Sequence, residues 1–193
     1  PQWKSWLVRG AYIITAFGGI VSLKIIDNIF DLNLIWLWYL GSIFAILGAI
    51  YTAFLFNQAR ARDLWQTPIQ SAFHMFIHAV MAGSVALIII EPESRLLLSE
   101  ILFLGIILNL VILFKEILFY PNTPDTKKAV ELMTRGYYSK YFWIGIILGS
   151  LLPICLIVIN MESLIIGSGL LALTGIFLTE FVRIRIPQMI PLS

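Results

Sequence analysis

The sequence predicts an all-α fold: a polytopic bundle of six transmembrane helices forming a single integral membrane domain, 1–193. Three observations predict it. Apolar and aromatic residues make up 60% of the 193-residue chain, charged residues only 12%, and mean hydropathy is +0.92. A soluble domain carries about 25% charged residues, so this composition leaves too few to cover a water-facing surface. The apolar residues fall into six runs, each able to supply the roughly 20 residues that a helix needs to cross a 30 Å hydrocarbon core. The charges between those runs sort by sign to alternate sides. Together these exclude an ordinary cytoplasmic enzyme, a disordered chain and a nucleic-acid binder. Alternation at period two is absent, which argues against a β-barrel.

The elements follow in order. Helices are expected at about 6–26, 34–59, 67–90, 96–119, 139–160 and 163–183. Asp27, Asn28, Asp31 and Asn33 mark the first turn. Arg60, Arg62 and Asp63 mark the second, with Pro68 at a first helical turn, where its missing N–H costs little. Glu91-Pro92-Glu93-Ser94 makes the third. The long loop, 120–138, opens with two prolines and continues into a short surface helix capped by Thr123 or Asp125. Asn160-Met161-Glu162-Ser163 is a tight hairpin. Pro153 lies inside the fifth run and should kink it near Gly149. The lone Cys155 cannot form an internal disulfide or hold an iron–sulfur cluster, which takes about four cysteines.

Of the 13 lysines and arginines, all but Lys24 and Arg95 fall on the side that holds the N-terminus. Asp27, Asp31, Glu91, Glu93, Glu100 and Glu162 fall opposite. Positive loops stay in the cytoplasm, so both ends of this chain are expected there, with short acidic turns outside.

Ionisable groups at lipid depth are costly and point to function. His74 and His78 lie four apart, on one face of the third helix. They read as a proton relay, as hydrogen-bonding groups that fix neighbouring helices, or as ligands to a haem shared with another subunit. A haem held by two histidines of this chain is excluded, because one helix face cannot supply both axial positions. Glu116 and Glu180 near the ends of the fourth and sixth helices read either as anchors paired with Arg183 or Lys115, or as the mouth of a proton path through His74 and His78. That path would be a half-channel, since Ser84 is the one polar residue in the following stretch, 79–84. Trp36, Trp38 and Tyr39 form either an interfacial aromatic belt or a wall of a quinone pocket, with Asp27 or Asp31 nearby to take a proton. No Walker loop, dinucleotide fingerprint or metal-ligand spacing is present.

Several patches together resemble one family. Ser5-Trp6-Leu7-Val8-Arg9-Gly10-Ala11 is similar to the S-W-x-x-x-G-A helix start of the polysulfide-reductase (NrfD-like) membrane subunits. Tyr51-Thr52-Ala53 resembles their Y-T-G, with Ala where the family has Gly. Arg62-Asp63-Leu64-Trp65-Gln66-Thr67-Pro68 resembles their R-x-L-W-x-x-P loop, and Ala82-Gly83 their small pair. Phe142-Trp143-Ile144-Gly145 with Gly149 and Pro153, then Gly175 with Arg183, resemble the last two helices. The Gln58–Gln66 stretch and Pro124-Asp125-Thr126 look most like the quinol-oxidising membrane subunit of alternative complex III. Family members place two or more helices before the first patch, so this chain is expected to be a C-terminal portion.

The resemblance implies a quinone-handling anchor subunit of a respiratory oxidoreductase in the bacterial inner membrane. It implies no redox cofactor bound by this chain, quinone or quinol as substrate, and iron–sulfur clusters, in some complexes with haem, in partner subunits. The iron–sulfur partner is expected on the outer face, over the turns at 27–33 and 90–96. The other expected partners are further membrane subunits and the bilayer, not nucleic acid. A secondary transporter would show inverted repeats with broken helices in matching halves, and none is evident. A purely structural anchor would not need histidines and glutamates at lipid depth.

Overall fold

The computed structural model describes residues 2–58, 67–119, 123–159 and 161–190. Its elements are α1 (Trp6–Phe30), α2 (Trp36–Asn57), α3 (Pro68–Ile90), α4 (Arg95–Leu118), α5 (Pro124–Thr134), α6 (Ser139–Ile146), α7 (Leu152–Ile159) and α8 (Glu162–Met189). A π-helical turn, Ile147–Leu151, joins α6 to α7, and a 3₁₀ turn, Pro92–Ser94, leads into α4. No β-strand occurs among the described residues. Among the described residues, six stretches are long and apolar enough to cross a membrane: α1, α2, α3, the 3₁₀ turn with α4, the α6–α7 run, and α8. The fold is therefore the expected all-α polytopic bundle. The second turn with Arg60, Arg62 and Asp63, the loop motif at 62–66, and the expected helix ends at 59 and 160 lie outside the described residues.

Several helix ends differ from expectation, each for a physical reason. The first helix runs past 26 to Phe30 because Asp27 is neutralised one turn back by Lys24 rather than breaking the helix. It stops where Asp31 turns left-handed (φ 50°). Asn33 is left-handed too (φ 56°), a conformation that Asp and Asn tolerate better than most residues. The last helix passes 183 and reaches Met189, because Arg183 finds carboxylate partners inside the protein and so does not end the span. Pro68 occupies the first position of α3. Thr123, not Asp125, caps α5: its Oγ1 accepts from Thr126 N–H at 3.2 Å.

The chain divides into two compact units. The first contains α1, α2 and α3 as far as Phe76. Here Gly10 lies so near the Tyr51 ring that a Cβ would collide with it, and Trp6 stacks on Phe54 with ring centroids 4.5 Å apart. Asp27 closes the α1–α2 turn. It is 2% exposed; one carboxylate oxygen pairs with Lys24, and the other accepts the Leu34 N–H at 2.9 Å. Its backbone carbonyl accepts from Leu32 at 3.2 Å.

The second unit contains the rest of α3 and α4–α8. Its closest contact joins Gly149, in the π-turn, to Gly175 of α8: a Cβ on either would overlap the other's backbone. Gly145 faces the same helix, where a Cβ would lie 3.0 Å from Thr179 Cγ2. Small residues are what allow helices to approach this closely in lipid. Pro153 sits in the first turn of α7, and the turn before it widens, with Leu152 N–H reaching back to the Ile147 carbonyl. Widening of this kind relieves the clash of a proline ring with the preceding turn. On the opposite flank, Met81 of α3 fills the space over Gly105 of α4, and Val85 packs on Gly169 of α8.

The turn at Asp27 yields a test. Asp27→Ala removes a charge-assisted bond to a backbone N–H and should destabilise the first unit by about 1.5–3 kcal/mol. Asp27→Asn keeps an acceptor for Leu34 N–H and should recover most of that. Thermal unfolding in detergent distinguishes them; equal losses would mean that the Lys24 pair, not the cap, holds the turn.

Candidate functional site

The second unit carries a cluster of ionisable side chains at lipid depth. Its members come from three helices: His78 from α3, Asn109 and Glu116 from α4, and Glu180 and Arg183 from α8. Asn109 and Glu116 are seven apart and so share one face, as do Glu180 and Arg183, three apart. His78 lies ten residues into α3, about 15 Å from its start at 1.5 Å per residue, which is near the middle of a 30 Å core.

Arg183 is the centre of the cluster. Its Nη1 reaches Glu180 Oε1 at 2.6 Å, and its Nε donates to Glu116 Oε1 at 3.2 Å. Glu116 Oε2 is 3.1 Å from the same nitrogen, an ion-pair contact without an aligned hydrogen. Glu180 Oε1 is 3.7 Å from His78 Nδ1, and His78 Nε2 lies 2.9 Å from Asn109 Oδ1. Glu116 is buried and the other ionisable side chains nearly so, at 11–18% exposure. The Asn109 amide thus orients the imidazole so that Nδ1 faces Glu180. One guanidinium faces two carboxylates, so the cluster is electrically neutral with one further proton bound.

The cluster described above contains His78, Glu116 and Glu180 of the residues expected on a proton path. His74 is buried on the same helix, one turn nearer Pro68. Of the two readings for the glutamates, the pairing with Arg183 is present for both. Asn109 was missed in the sequence. Its signal was there: it is the one amide in the uncharged run 101–114, seven residues before Glu116. Ser84 donates to the Val80 carbonyl of its own helix at 2.9 Å, so its hydroxyl is already committed.

The aromatic residues of α2 lie in the first unit. Trp38 lines a cleft of about 270 Å³ with Phe17, Ile20 and Lys24 of α1 and Gly41 of α2. The Lys24 ammonium sits 4.9 Å from the Trp38 ring centroid, a cation–π contact. Trp36 and Tyr39 are exposed and do not line this cleft. Asp27 is committed to the turn described above, so its carboxylate does not open into the cleft; Lys24, which it holds, does.

The central role of Arg183 sets an expectation. Arg183→Gln leaves two buried carboxylates without their cation and should cost about 3–5 kcal/mol. Adding Glu116→Gln should restore part of the loss, since one of the two orphaned charges is then removed. Unfolding of the detergent-solubilised variants measures both; a single variant as stable as the parent would show that the pairs contribute nothing.

A family model described as polysulphide reductase, NrfD matches residues 3–191. No curated protein and no solved structure matches the chain. The matched family comprises membrane subunits of quinone-linked oxidoreductases that partner iron–sulfur subunits. With that match over nearly its whole length and six helices fit to cross a membrane, the chain belongs to the NrfD (polysulphide reductase) family.

Proposed function

We propose that this chain is the quinone-handling membrane subunit of a respiratory oxidoreductase, passing electrons between quinol and an iron–sulfur partner and moving protons through the Glu180–His78 pair. The observation that carries the reading is one buried guanidinium shared by two carboxylates, with a histidine Nδ1 beside the second. A helix bundle stabilised only by packing would avoid the cost of those charges. A site that must take up and release a proton requires such groups, held in a fixed geometry.

In this reading quinol gives up two electrons and two protons, and the electrons pass to the partner's cluster. Glu180 takes a proton from the cytoplasmic side and shares it with His78 Nδ1. Asn109 holds the imidazole so that Nδ1, not Nε2, faces the acid. Arg183 and Glu116 keep the pair's surroundings near neutrality, so that adding or removing one proton does not unbalance the bundle. His74, one turn further along α3, extends the path toward the start of that helix. The quinone ring enters the cleft of Lys24 and Trp38, with Trp36 and Tyr39 flanking it at the membrane interface. Lys24, not Asp27, is the polar group aimed there. The basic bias of one side supports a topology with both ends of the chain in the cytoplasm of a bacterial inner membrane. By the parity of the spans, the exposed acids Asp31, Glu91 and Glu93 lie on the outer face, where the iron–sulfur subunit docks. Among the family's members, the resemblance of 58–66 and 124–126 favours the quinol-oxidising subunit of alternative complex III.

Two measurements on the purified complex test this. His78→Phe keeps the volume of the ring but not its proton, and should lower the proton-to-electron ratio while leaving assembly intact. An unchanged ratio at normal turnover removes the relay. Trp38→Ala should raise the KM for quinol several-fold with little change in kcat; an unchanged KM moves the quinone elsewhere.

A further inference from the structure

Between spans α4 and α6 lies a charged surface that quinone chemistry does not need. Residues 123–140 hold Lys127, Lys128, Arg135 and Lys140 against Asp125 and Glu131, four positive charges and two negative. None of the four cations forms an ion pair among the described residues. The helix that carries Lys127 and Lys128 and ends at Arg135 is firmly seated. α5 buries Thr126, Ala129, Val130 and Met133 and packs on α6 and α8. Trp143 Nε1 of α6 donates to the Thr134 carbonyl at 3.0 Å, pinning the end of α5 to the mouth of a span.

Two clefts flank the end of this helix, the lining of one reaching Arg135 and that of the other starting at Gly136. One, about 350 Å³, is lined by Lys127, Glu131, Thr134 and Arg135, over Ile117 of α4. Lys127, Glu131 and Arg135 are spaced by four and so lie in one row. The other cleft, about 510 Å³, is lined by Tyr137, Ser139, Lys140 and Tyr141. Both open at the level where α4 ends and α6 begins, so by chain connectivity they lie at a membrane face. The phosphate concentrated there is that of lipid headgroups. Tyrosines are the side chains that settle at that depth, apolar ring inward and hydroxyl outward.

We infer that these two clefts form a docking site for an anionic phospholipid with a hydroxylated headgroup. The phosphodiester sits between Lys127 and Arg135, Glu131 accepts from a headgroup hydroxyl, and Lys140 with its tyrosines holds the interfacial part of the lipid. The excess of two positive charges favours an anionic over a zwitterionic lipid. Lys128 is outside both clefts, although it adjoins Lys127 on the same helix.

Native mass spectrometry of the full chain in detergent tests this, with phosphatidylglycerol, phosphatidylethanolamine, phosphatidylcholine and inorganic phosphate as probes. Phosphatidylglycerol should be retained in preference to the other two lipids. Lys127→Gln and Arg135→Gln should each weaken its retention about fivefold, and Lys128→Gln by less than twofold. A Lys128→Gln loss as large as that of Lys127→Gln overturns the site in favour of diffuse attraction. Equal retention of phosphatidylethanolamine overturns the anionic assignment, and displacement of the lipid by millimolar inorganic phosphate marks a free-phosphate site instead.

Discussion

The guanidinium of Arg183 is the group on which the second unit depends. Two carboxylates at lipid depth would be intolerable without it, and the guanidinium would be equally costly alone. Its planar fork lets different nitrogens serve different acids, so that Glu116 of α4 and Glu180 of α8 are held by one side chain. α4 and α8 are therefore linked by charge as well as by packing. The same arrangement leaves an odd number of formal charges around an imidazole. A lysine could neutralise one acid as well, but its point charge would not hold two carboxylates in fixed directions.

The reach of Arg183 in turn rests on backbone geometry far along α8. Gly175 meets Gly149 without an intervening side chain, which draws α8 against the π-turn between α6 and α7. Thr179, one turn beyond Gly175, lies beside Gly145 and satisfies its hydroxyl on the Gly175 carbonyl at 2.9 Å. Glu180 and Arg183 follow directly. The π-turn, Pro153 and the glycines thus set the position from which the charged pair projects. On the other membrane face, Arg95 ties α8 down again: it bonds Glu162 at 2.7 Å and the Ile88 carbonyl at 2.9 Å. A long helix tied at both ends and close-packed in the middle holds its ionisable groups in fixed positions.

The first unit solves a different problem. Its turn has no glycine, and Asp31 and Asn33 take the left-handed conformation instead. A single buried carboxylate organises that turn and at the same time fixes Lys24 over the Trp38 ring. A cationic head thus lies beside an aromatic wall in an otherwise apolar cleft. The acid that looked available in the sequence is spent on structure, and the lysine that it positions is the group left facing the cleft.

Composition and spacing determined the fold class, because in lipid every backbone group must be satisfied within its own helix and only long apolar runs can do that. They also determined the six spans, the proline at the start of α3 and the capped surface helix. Each of these depends on residues close together in the chain. His78, Glu116 and Glu180 were legible as candidates for the same reason: a charge in an apolar run is visible without a partner. The partners were not. That Arg183 serves both glutamates, that Asn109 fixes the imidazole, and that Asp27 is consumed by its own turn are matters of contact between residues up to 67 positions apart. Helix ends at Phe30 and Met189 were underestimated because a charge reads as a stop until its counter-ion is known. Only the tertiary structure supplied those counter-ions, since sequence spacing orders groups along one helix and is silent about which neighbour faces them.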